Sequence, residues 1–416
     1  MISIMKRNKT TIESREFLIF ARKREQDFTR KRKLPFDKLI LFMINLIRSS
    51  IKCCLDKFFE TMGETEKHMA QQSFSEARQK IRWEAFEFLF NDTVEAIYEG
   101  GYEKWHGYRV HAIDGTKIQL PDDKNLRSHF GAVGRNSTAA TAQASALYDV
   151  FNGVIVDTKI EPIATDERTL ATMHIDKLCK TKSFDKELII FDRGYASFAL
   201  ITYLIMCNIR FLMRVKTGFN NDIDNLPNGD HTIVLQREGE KDICVRVLKF
   251  PLKSGEIETL VTDITDKRMG TNAFKTLYFK RWPIETKYGE IKNKLEIENF
   301  SGRTVDAIKQ DFYITMYMSN IVTVASWEAQ PIIEQERENK DNRYDYQVNI
   351  NHAIGVLKDR FIAAFLESDD ELRSKKVNHI LALLVKCATP IRPNRSVVRN
   401  NSTRKAKFRH NSKSNC

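Results

Sequence analysis

Hydrophobic positions in the first hundred residues recur with a helical period. An apolar-periodic stretch covers residues 36–59, and a second covers residues 73–90. The second opens with Ser73 three residues before Glu76, a spacing typical of a capped helix start. The pattern therefore predicts a helical domain over residues 1–105, including one helix over residues 73–90.

From about residue 106 the pattern changes to short apolar runs that are typical of β-strands. One run ends in Asp114-Gly115, and the runs at 141–150 and 153–162 are joined by a turn at Asn152-Gly153. The segments that follow are a helix over 166–178, a strand over 187–192, a helix over 197–207 and a strand over 209–215. This order is that of a ribonuclease-H-like fold, so the prediction is an α/β core with a mixed sheet flanked by helices.

Residues 218–270 interrupt this alternation of strands and helices. Glycines and a Pro-Asn-Gly turn separate three short β-like runs, which predicts an all-β insertion. Helical periodicity returns at Thr271-Asn272, a good N-cap pair, and continues to about residue 295. The predicted domains after residue 105 are a core over 106–217 and 271–330, the insertion over 218–270, and a helical C-terminal region over 331–391 that is a candidate for dimerisation.

Positive charge is concentrated near the two ends of the chain. The net charge of the 416 residues is +12 with a pI near 9.2, which favours a polyanionic partner such as nucleic acid. Residues 392–416 hold eight Lys or Arg and no acid, which predicts a disordered tail that attracts DNA. The densest N-terminal cluster is Arg30, Lys31, Arg32 and Lys33. For any single basic helix here, including the one that carries Arg78, a solvated charged face explains the pattern equally well.

Cysteine usage and hydropathy favour a reducing cytoplasm. The seven cysteines are scattered without a C-x-x-C pair, which argues against a disulfide framework and against a zinc ribbon. The most apolar run, residues 39–47, is about half the roughly 20 residues that a membrane-spanning helix requires. We therefore expect a buried helix there and no membrane partner.

Two aspartates follow predicted strands and are candidates for a shared site. Asp114 comes at the end of the first strand, and Asp192 ends the most apolar strand and is followed by Arg193-Gly194-Tyr195. In open α/β sheets, ligands gather beyond the carboxyl ends of the strands, so two such acids can face one ligand. Taken singly, each aspartate is also explained as an ordinary turn residue beside a glycine.

A third acid belongs to a stripe of chemically related residues. Tyr278, Arg281, Glu285 and Lys292 are offset by 0, 3, 7 and 14 residues, so they share one face of a helix. A salt-bridged, solvated helix face is the alternative explanation. Pro283 lies within the predicted helix and can kink it.

These motifs together resemble the DDE transposases of bacterial insertion sequences, in the branch with a Tyr-x2-Arg-x3-Glu-x6-Lys signature. All four signature positions match at Tyr278, Arg281, Glu285 and Lys292. The likeness includes the Asp-Gly-Thr-x-Ile-x-Leu-Pro run at 114–121, Asp-Arg-Gly-Tyr at 192–195 and the basic-apolar segment at 28–46. It covers most of the first 300 residues.

The resemblance implies an enzyme that cuts and rejoins DNA. Asp114, Asp192 and Glu285 would be the catalytic acids and would hold two Mg²⁺ ions, with Mn²⁺ able to substitute. It implies cut-and-paste transposition with a hairpin intermediate, on double-stranded DNA that carries the terminal inverted repeats and on target DNA, by a homodimer in the synaptic complex. The expected DNA-binding residues are Tyr278, Arg281, Lys292, Arg193, Arg30, Lys31, Arg32 and Lys33.

Two other functions fit the same motifs. One is a non-catalytic DNA-binding inhibitor of transposition with the same ancestry, against which the intact acidic triad argues. The other is a ribonuclease-H-like nuclease, which would cut strands without joining them.

Overall fold

The computed structural model describes residues 1–392 except 31, 134–138, 181–185, 237–238, 240, 339 and 341. The chain divides into two compact units. The first comprises Met1–Gly101, Ile118–Ala142 and the described residues from Gly289 onward, and the second comprises Tyr102–Lys117 and Gln143–Tyr288. Lys31 and nearly all of the predicted tail, residues 393–416, lie outside the described residues.

The first unit is built from helices. Those before residue 131 are α1 (Ile2–Glu13), α2 (Arg15–Ala21), α3 (Phe36–Ile44), α4 (Ile51–Thr61), α5 (Gln71–Arg78), α6 (Glu84–Glu99) and α7 (Lys124–Phe130). Those towards the C-terminus are α13 (Val305–Arg337), α14 (Ile350–Leu366) and α15 (Asp370–Lys386), with a short antiparallel pair of strands, β9 (Tyr346–Gln347) and β10 (Thr389–Pro390). No helix in the described ranges combines the length and the apolar character that crossing a membrane requires.

The helix predicted over residues 73–90 is two helices, so that prediction was wrong. α5 begins two residues before Ser73, with no side-chain cap, and the chain turns before α6 begins at Glu84. Arg78 is buried at the end of α5, and its guanidinium donates a 2.8 Å hydrogen bond to Asp311. Arg78 therefore stabilises the helical unit and is not available for phosphate contact.

Helix α13 forms the centre of the first unit. Its residues 312–325 are buried without interruption. The buried Arg48 guanidinium donates to the carbonyls of Leu295 and Asn299 and to the hydroxyl of Thr315. Buried cations in this unit therefore have several acceptors each, as the cost of desolvation demands.

Over the described residues, eight strands form one mixed sheet in the order β3-β2-β1-β4-β5-β8-β7-β6. They are β1 (Tyr108–Gln119), β2 (Thr141–Asp149), β3 (Ile155–Pro162), β4 (Lys186–Phe191), β5 (Arg210–Val215), β6 (Gly229–Leu235), β7 (Ile243–Pro251) and β8 (Ile257–Thr262). β4 is parallel to β1 and β5 is parallel to β4, whereas β8, β7 and β6 continue the sheet with antiparallel pairing. The predicted mixed α/β architecture, a mixed sheet flanked by helices, is confirmed.

Residues 218–270 are not all-β, which corrects the prediction. They contain a short helix, α10 (Asn221–Asn225), which begins where the Asn220 side chain accepts a hydrogen bond from the Ile223 main chain. Asparagine caps of this kind satisfy a free N–H of the first turn, so a polar run that looks like a loop can begin a helix. The three strands of the region extend the main sheet from β5 instead of forming a separate one.

The remaining helices of the sheet-bearing unit are α8 (Glu167–Lys180), α9 (Phe198–Met206), α11 (Thr271–Phe279) and α12 (Pro283–Asn293). The single helix predicted from Thr271 to about residue 295 is therefore two helices, and its N-cap is Gly270. Pro283 is the first residue of α12, a position where its missing N–H costs nothing and its fixed φ favours the helix. The corner between α11 and α12 places Tyr278 and Glu285 on different helices.

Candidate active site

Asp114 and Asp192 each lie two residues beyond the last parallel pair of β1 and β4. β1 does not end at Asp114, as the sequence suggested, but continues to Gln119; its pairing with β4 nevertheless stops at Ala112, opposite Ile190. Continuing that register by two residues brings Asp114 level with Asp192, which directly follows β4. Neighbouring strands are about 4.8 Å apart, so the two aspartates can act on one ligand.

Close packing surrounds the main chain at Asp114. A Cβ atom added to Gly115 would lie 2.9 Å from the Gln143 side-chain nitrogen and 2.9 Å from a carboxylate oxygen of Glu167. Only glycine lets these two groups approach the backbone so closely. Glu167, in the first turn of α8, is therefore a fourth acid at this site. The glycine after Asp114 is the one sequence feature that could have indicated it.

Tyr278, Arg281 and Glu285 lie at the junction of α11 and α12 and interact with the aspartates or with one another. The Tyr278 hydroxyl lies 3.4 Å from the Asp192 carboxylate and donates to it, and the Arg281 guanidinium donates a 3.0 Å hydrogen bond to Glu285. Tyr278 and Arg281 are buried, whereas the side chain of Glu285 is 37% exposed. Tyr278, Arg281 and Glu285 therefore lie close together, although α11 ends and α12 begins between them.

Burial first, and then neighbouring negative charge, raises the pKa of Asp114 and of Tyr278. Burial raises the pKa of Asp114 to about 6, and the charges of Glu167 and Glu285 add to this effect, although the Gly115 N–H and Arg281 oppose it. Burial and the charge of Asp192 likewise raise the pKa of Tyr278 to about 12. The site therefore holds more negative charge than Arg281 alone neutralises.

Tyr195 lies at the same site. Burial first, then the charges of Glu167, Asp114 and Asp192, raise the pKa of its hydroxyl well above the ordinary value. The hydroxyl is buried and has no hydrogen-bond partner within the described chain. Arg168, beside Glu167, donates to the main-chain carbonyl of Gly194 and so supports the turn that follows Asp192.

The other predicted DNA-binding residues lie elsewhere. Arg193 is exposed in the turn after Asp192, within the second unit. Lys292 is on the part of α12 that belongs to the first unit. Arg30, Arg32 and Lys33 are exposed in the segment before α3, and Lys33 donates to the His68 carbonyl at 3.0 Å.

Metal-ligand geometry is not preformed. Among the residues whose placement is described, no three His, Cys, Asp or Glu side chains lie close enough together to hold a metal ion. Asp192 and Glu285 are each engaged by a neighbouring side chain, Tyr278 and Arg281 respectively. Arg281 thus supplies the positive charge next to these acids.

Comparison with known proteins identifies the class. Residues 105–321, more than half of the chain, match the family model described as Transposase DDE domain. The protein is therefore a transposase of the DDE class. It belongs to the Transposase DDE domain family, which at the general level is a family of enzymes that cleave and transesterify DNA.

Individual relatives are distant. The chain is 20% identical over 315 residues to "Transposase InsG for insertion sequence element IS4" of Escherichia coli (strain K12), covering 70% of each protein. It is 23% identical over 209 residues to "Putative transposase InsZ" of the same organism, covering 48% of this chain and 68% of the relative. A solved structure, the cryo-EM structure of the piggyBac transposase synaptic complex with hairpin DNA, covers 90% of this chain and 85% of its own at 8% identity and a TM-score of 0.47.

Proposed function

We propose that the protein cuts and rejoins DNA at the ends of an insertion sequence, with Asp114, Asp192 and Glu285 as the catalytic acids. The observation that carries this proposal is the parallel register of β1 and β4, which sets Asp114 opposite Asp192 when it is continued two residues past Ala112 and Ile190. The charge of Glu285 acts on Asp114, which supports its place as the third acid. We assign the sheet and its helices to the ribonuclease-H-like class on the strand order of β1 to β5.

The donor set suits a hard divalent cation. Carboxylate oxygens are the ligands that Mg²⁺ and Mn²⁺ prefer, and the surplus negative charge around Asp114 favours a cation at this place. When bound, such ions would activate the attacking oxygen and stabilise the leaving oxygen of a phosphodiester. Because Asp192 and Glu285 now face Tyr278 and Arg281, their side chains have to turn to reach a shared ion.

The basic and phenolic side chains position the DNA in this proposal. Arg281 and Tyr278 are buried against Glu285 and Asp192, so they bind a backbone phosphate near the cut only after those acids have turned away from them. A freed guanidinium can then form two parallel hydrogen bonds with the phosphate. Lys292 and Arg193 contribute further phosphate contacts. Most of the acceleration in such transfers comes from positioning and charge neutralisation, so losing any of these residues slows cleavage without changing its chemistry.

We further propose a cut-and-paste pathway with a hairpin intermediate, carried out on chromosomal DNA in the bacterial cytoplasm. A homodimer would pair the two element ends. The N-terminal basic residues Arg30, Lys31, Arg32 and Lys33 would bind the terminal inverted repeats, and the tail over residues 392–416 would add attraction that is independent of sequence.

The test is cleavage of a labelled element end in Mg²⁺ by variants of each acid. Asp114→Ala, Asp192→Ala and Glu285→Ala should each lower cleavage by more than about a thousandfold and leave DNA binding nearly unchanged. Glu256→Ala, which removes an exposed acid of the same unit between β7 and β8, is the matched control and should cut normally.

The same assay separates the alternatives. A wild-type protein that binds ends without cutting them is an inhibitor, and one that cuts but never joins strands is a nuclease. Normal cleavage by any of the three acid variants would contradict the proposed site.

A further inference from the structure

A chain of buried polar side chains leads from helix α8 to the main chain of Asp114. The Lys177 ammonium donates to Asp157 at 2.7 Å, and the other oxygen of Asp157 lies 2.7 Å from Nδ1 of His174. Nε2 of His174 lies 3.0 Å from the Ser145 hydroxyl, which donates to the main-chain carbonyl of Asp114 at 3.2 Å. Asp157, His174 and Ser145 are each no more than 1% exposed.

The number of available protons decides which group donates and which accepts in each of these hydrogen bonds. A serine hydroxyl has one proton, and here it is donated to the Asp114 carbonyl, so the Ser145 oxygen accepts from Nε2–H of His174. Nδ1 of the same ring faces the Asp157 carboxylate, which can only accept, so Nδ1 carries a proton as well. With the Ser145 proton directed to the Asp114 carbonyl, this arrangement requires His174 to donate from both ring nitrogens.

The charges around Asp157 keep its carboxylate ionised. Burial alone would raise the pKa of the Asp157 carboxyl, but the hydrogen bond and charge of His174 and the charges of Lys177 and Lys159 outweigh it and hold the pKa well below its usual range. Asp157 is thus an anion that orients the His174 ring. In many metal sites a carboxylate hydrogen-bonded to a histidine fixes the orientation of the imidazole ring in the same way.

The carbonyl of Asp114 is held from a second direction. The Tyr288 hydroxyl donates to it at 2.7 Å. Both lone pairs of this oxygen are therefore used by side chains, from β2 on one side and α12 on the other. Such a carbonyl cannot rotate without breaking two hydrogen bonds, one of which is connected to a buried ion pair.

We propose that His174 and Ser145 are positioning residues that hold the backbone of Asp114, so that its carboxylate is presented to the divalent ion. The inference rests on the proposed function, in which Asp114 is a metal ligand. Removing a hydrogen-bonded group behind a metal ligand commonly weakens metal affinity by about 10–100-fold. A buried histidine that only filled space would have no such effect.

The experiment compares Ser145→Ala with Ser145→Thr and Thr158→Val. Ser145→Ala removes the hydroxyl at Asp114, whereas Ser145→Thr keeps it. Thr158→Val is the matched control, because its buried hydroxyl donates at 3.1 Å to the carbonyl of Ser145 and not to that of Asp114. Mn²⁺ binding to each protein, followed by electron paramagnetic resonance, is measured beside the Mg²⁺ dependence of cleavage, DNA binding and thermal unfolding.

Ser145→Ala and His174→Gln should each weaken Mn²⁺ binding and raise the Mg²⁺ concentration for half-maximal cleavage by about tenfold or more. DNA binding should stay within twofold, and Ser145→Thr should restore metal binding. In the wild type, nitrogen NMR of His174 at pH 7 should show protons on both ring nitrogens.

Two results would overturn the inference: a metal dependence of Ser145→Ala no different from that of Thr158→Val, or a single protonated nitrogen on His174. The proposed function fails separately, when Asp114→Ala itself cuts DNA. If Asp114→Ala is inactive while Ser145→Ala binds metal like the wild type, only the positioning role is lost.

Discussion

Single charged residues inside the second unit are stabilised by specific partners. Glu187, on β4, is buried and accepts hydrogen bonds from the guanidinium of Arg109 and from His111 at 2.7 Å. Burial alone would raise the pKa of Glu187, but His111 and then Arg109 outweigh it and lower the pKa to about 2. The ionised carboxylate is therefore part of the folded structure.

This residue should make stability depend on pH. A carboxyl whose pKa is lower in the folded than in the unfolded chain stabilises the fold above the unfolded value of 4.5 and loses that contribution as the pH falls towards 2. At pH 7, Glu187→Gln should lower the free energy of unfolding by about 2–3 kcal/mol, and the loss should shrink as the pH approaches 2. Urea unfolding at pH 7 and pH 3, monitored by circular dichroism, measures both.

Glu256→Gln is the control for that experiment, since its side chain is exposed. A Glu187→Gln penalty that is equally large at both pH values would show that packing, and not charge, holds Glu187 in place.

Among the described residues, two helices contain a proline, and the two prolines affect helix stability differently. Pro283 starts α12, where no helical partner is lost. Pro331 lies inside α13, where the missing N–H leaves a carbonyl one turn earlier without its helical donor. At the scale of elements, Pro283 therefore starts a new helix at the candidate site, whereas Pro331 weakens a long helix.

Pro331→Ala should therefore raise the free energy of unfolding by about 1–2 kcal/mol, less than the full helix-interior penalty because proline also restricts the unfolded chain. Pro283→Ala is the matched comparison and should change it by less than about 0.5 kcal/mol. Thermal and urea unfolding give both values. Equal effects of the two changes would mean that α13 has already adapted to its proline.

At the scale of the whole molecule, we propose that the reaction depends on two copies of the chain. Cutting one element end without its partner would leave a broken chromosome, so catalysis that requires pairing is advantageous. In a trans arrangement each subunit binds one end and cuts the other, and a single subunit cannot complete a site filled with DNA.

Mixing two inactive proteins tests this arrangement. Glu285→Ala should bind an end but not cut it. A protein with Arg30, Arg32 and Lys33 changed to Glu retains its acids but should not bind ends. Cleavage should appear in the mixture although neither protein cuts alone. A single DNA-bound monomer that cuts at the full wild-type rate would contradict the trans dimer.

The transposase class and the mixed α/β architecture could be predicted from the sequence. Hydrophobic periodicity reports local burial, so it located most strands and helices, including α8, α9 and the hairpin of β2 and β3. The short motifs around Asp114, Asp192 and Glu285 were enough to indicate the family that the chain belongs to. The roles of these three acids stay predictions until the variants are measured.

What lies beyond the sequence pattern depends on contacts between distant residues. The burial of Arg78 depends on Asp311, 233 positions away, and the carbonyl of Asp114 is held by Tyr288, 174 positions away. Local hydrophobic periodicity carries no information about such pairs, because they form only when folding brings distant segments together. By itself the sequence determined most of the helices and strands and the family that they form. The tertiary structure decided where helices break, which charges are buried and which side chains surround Asp114.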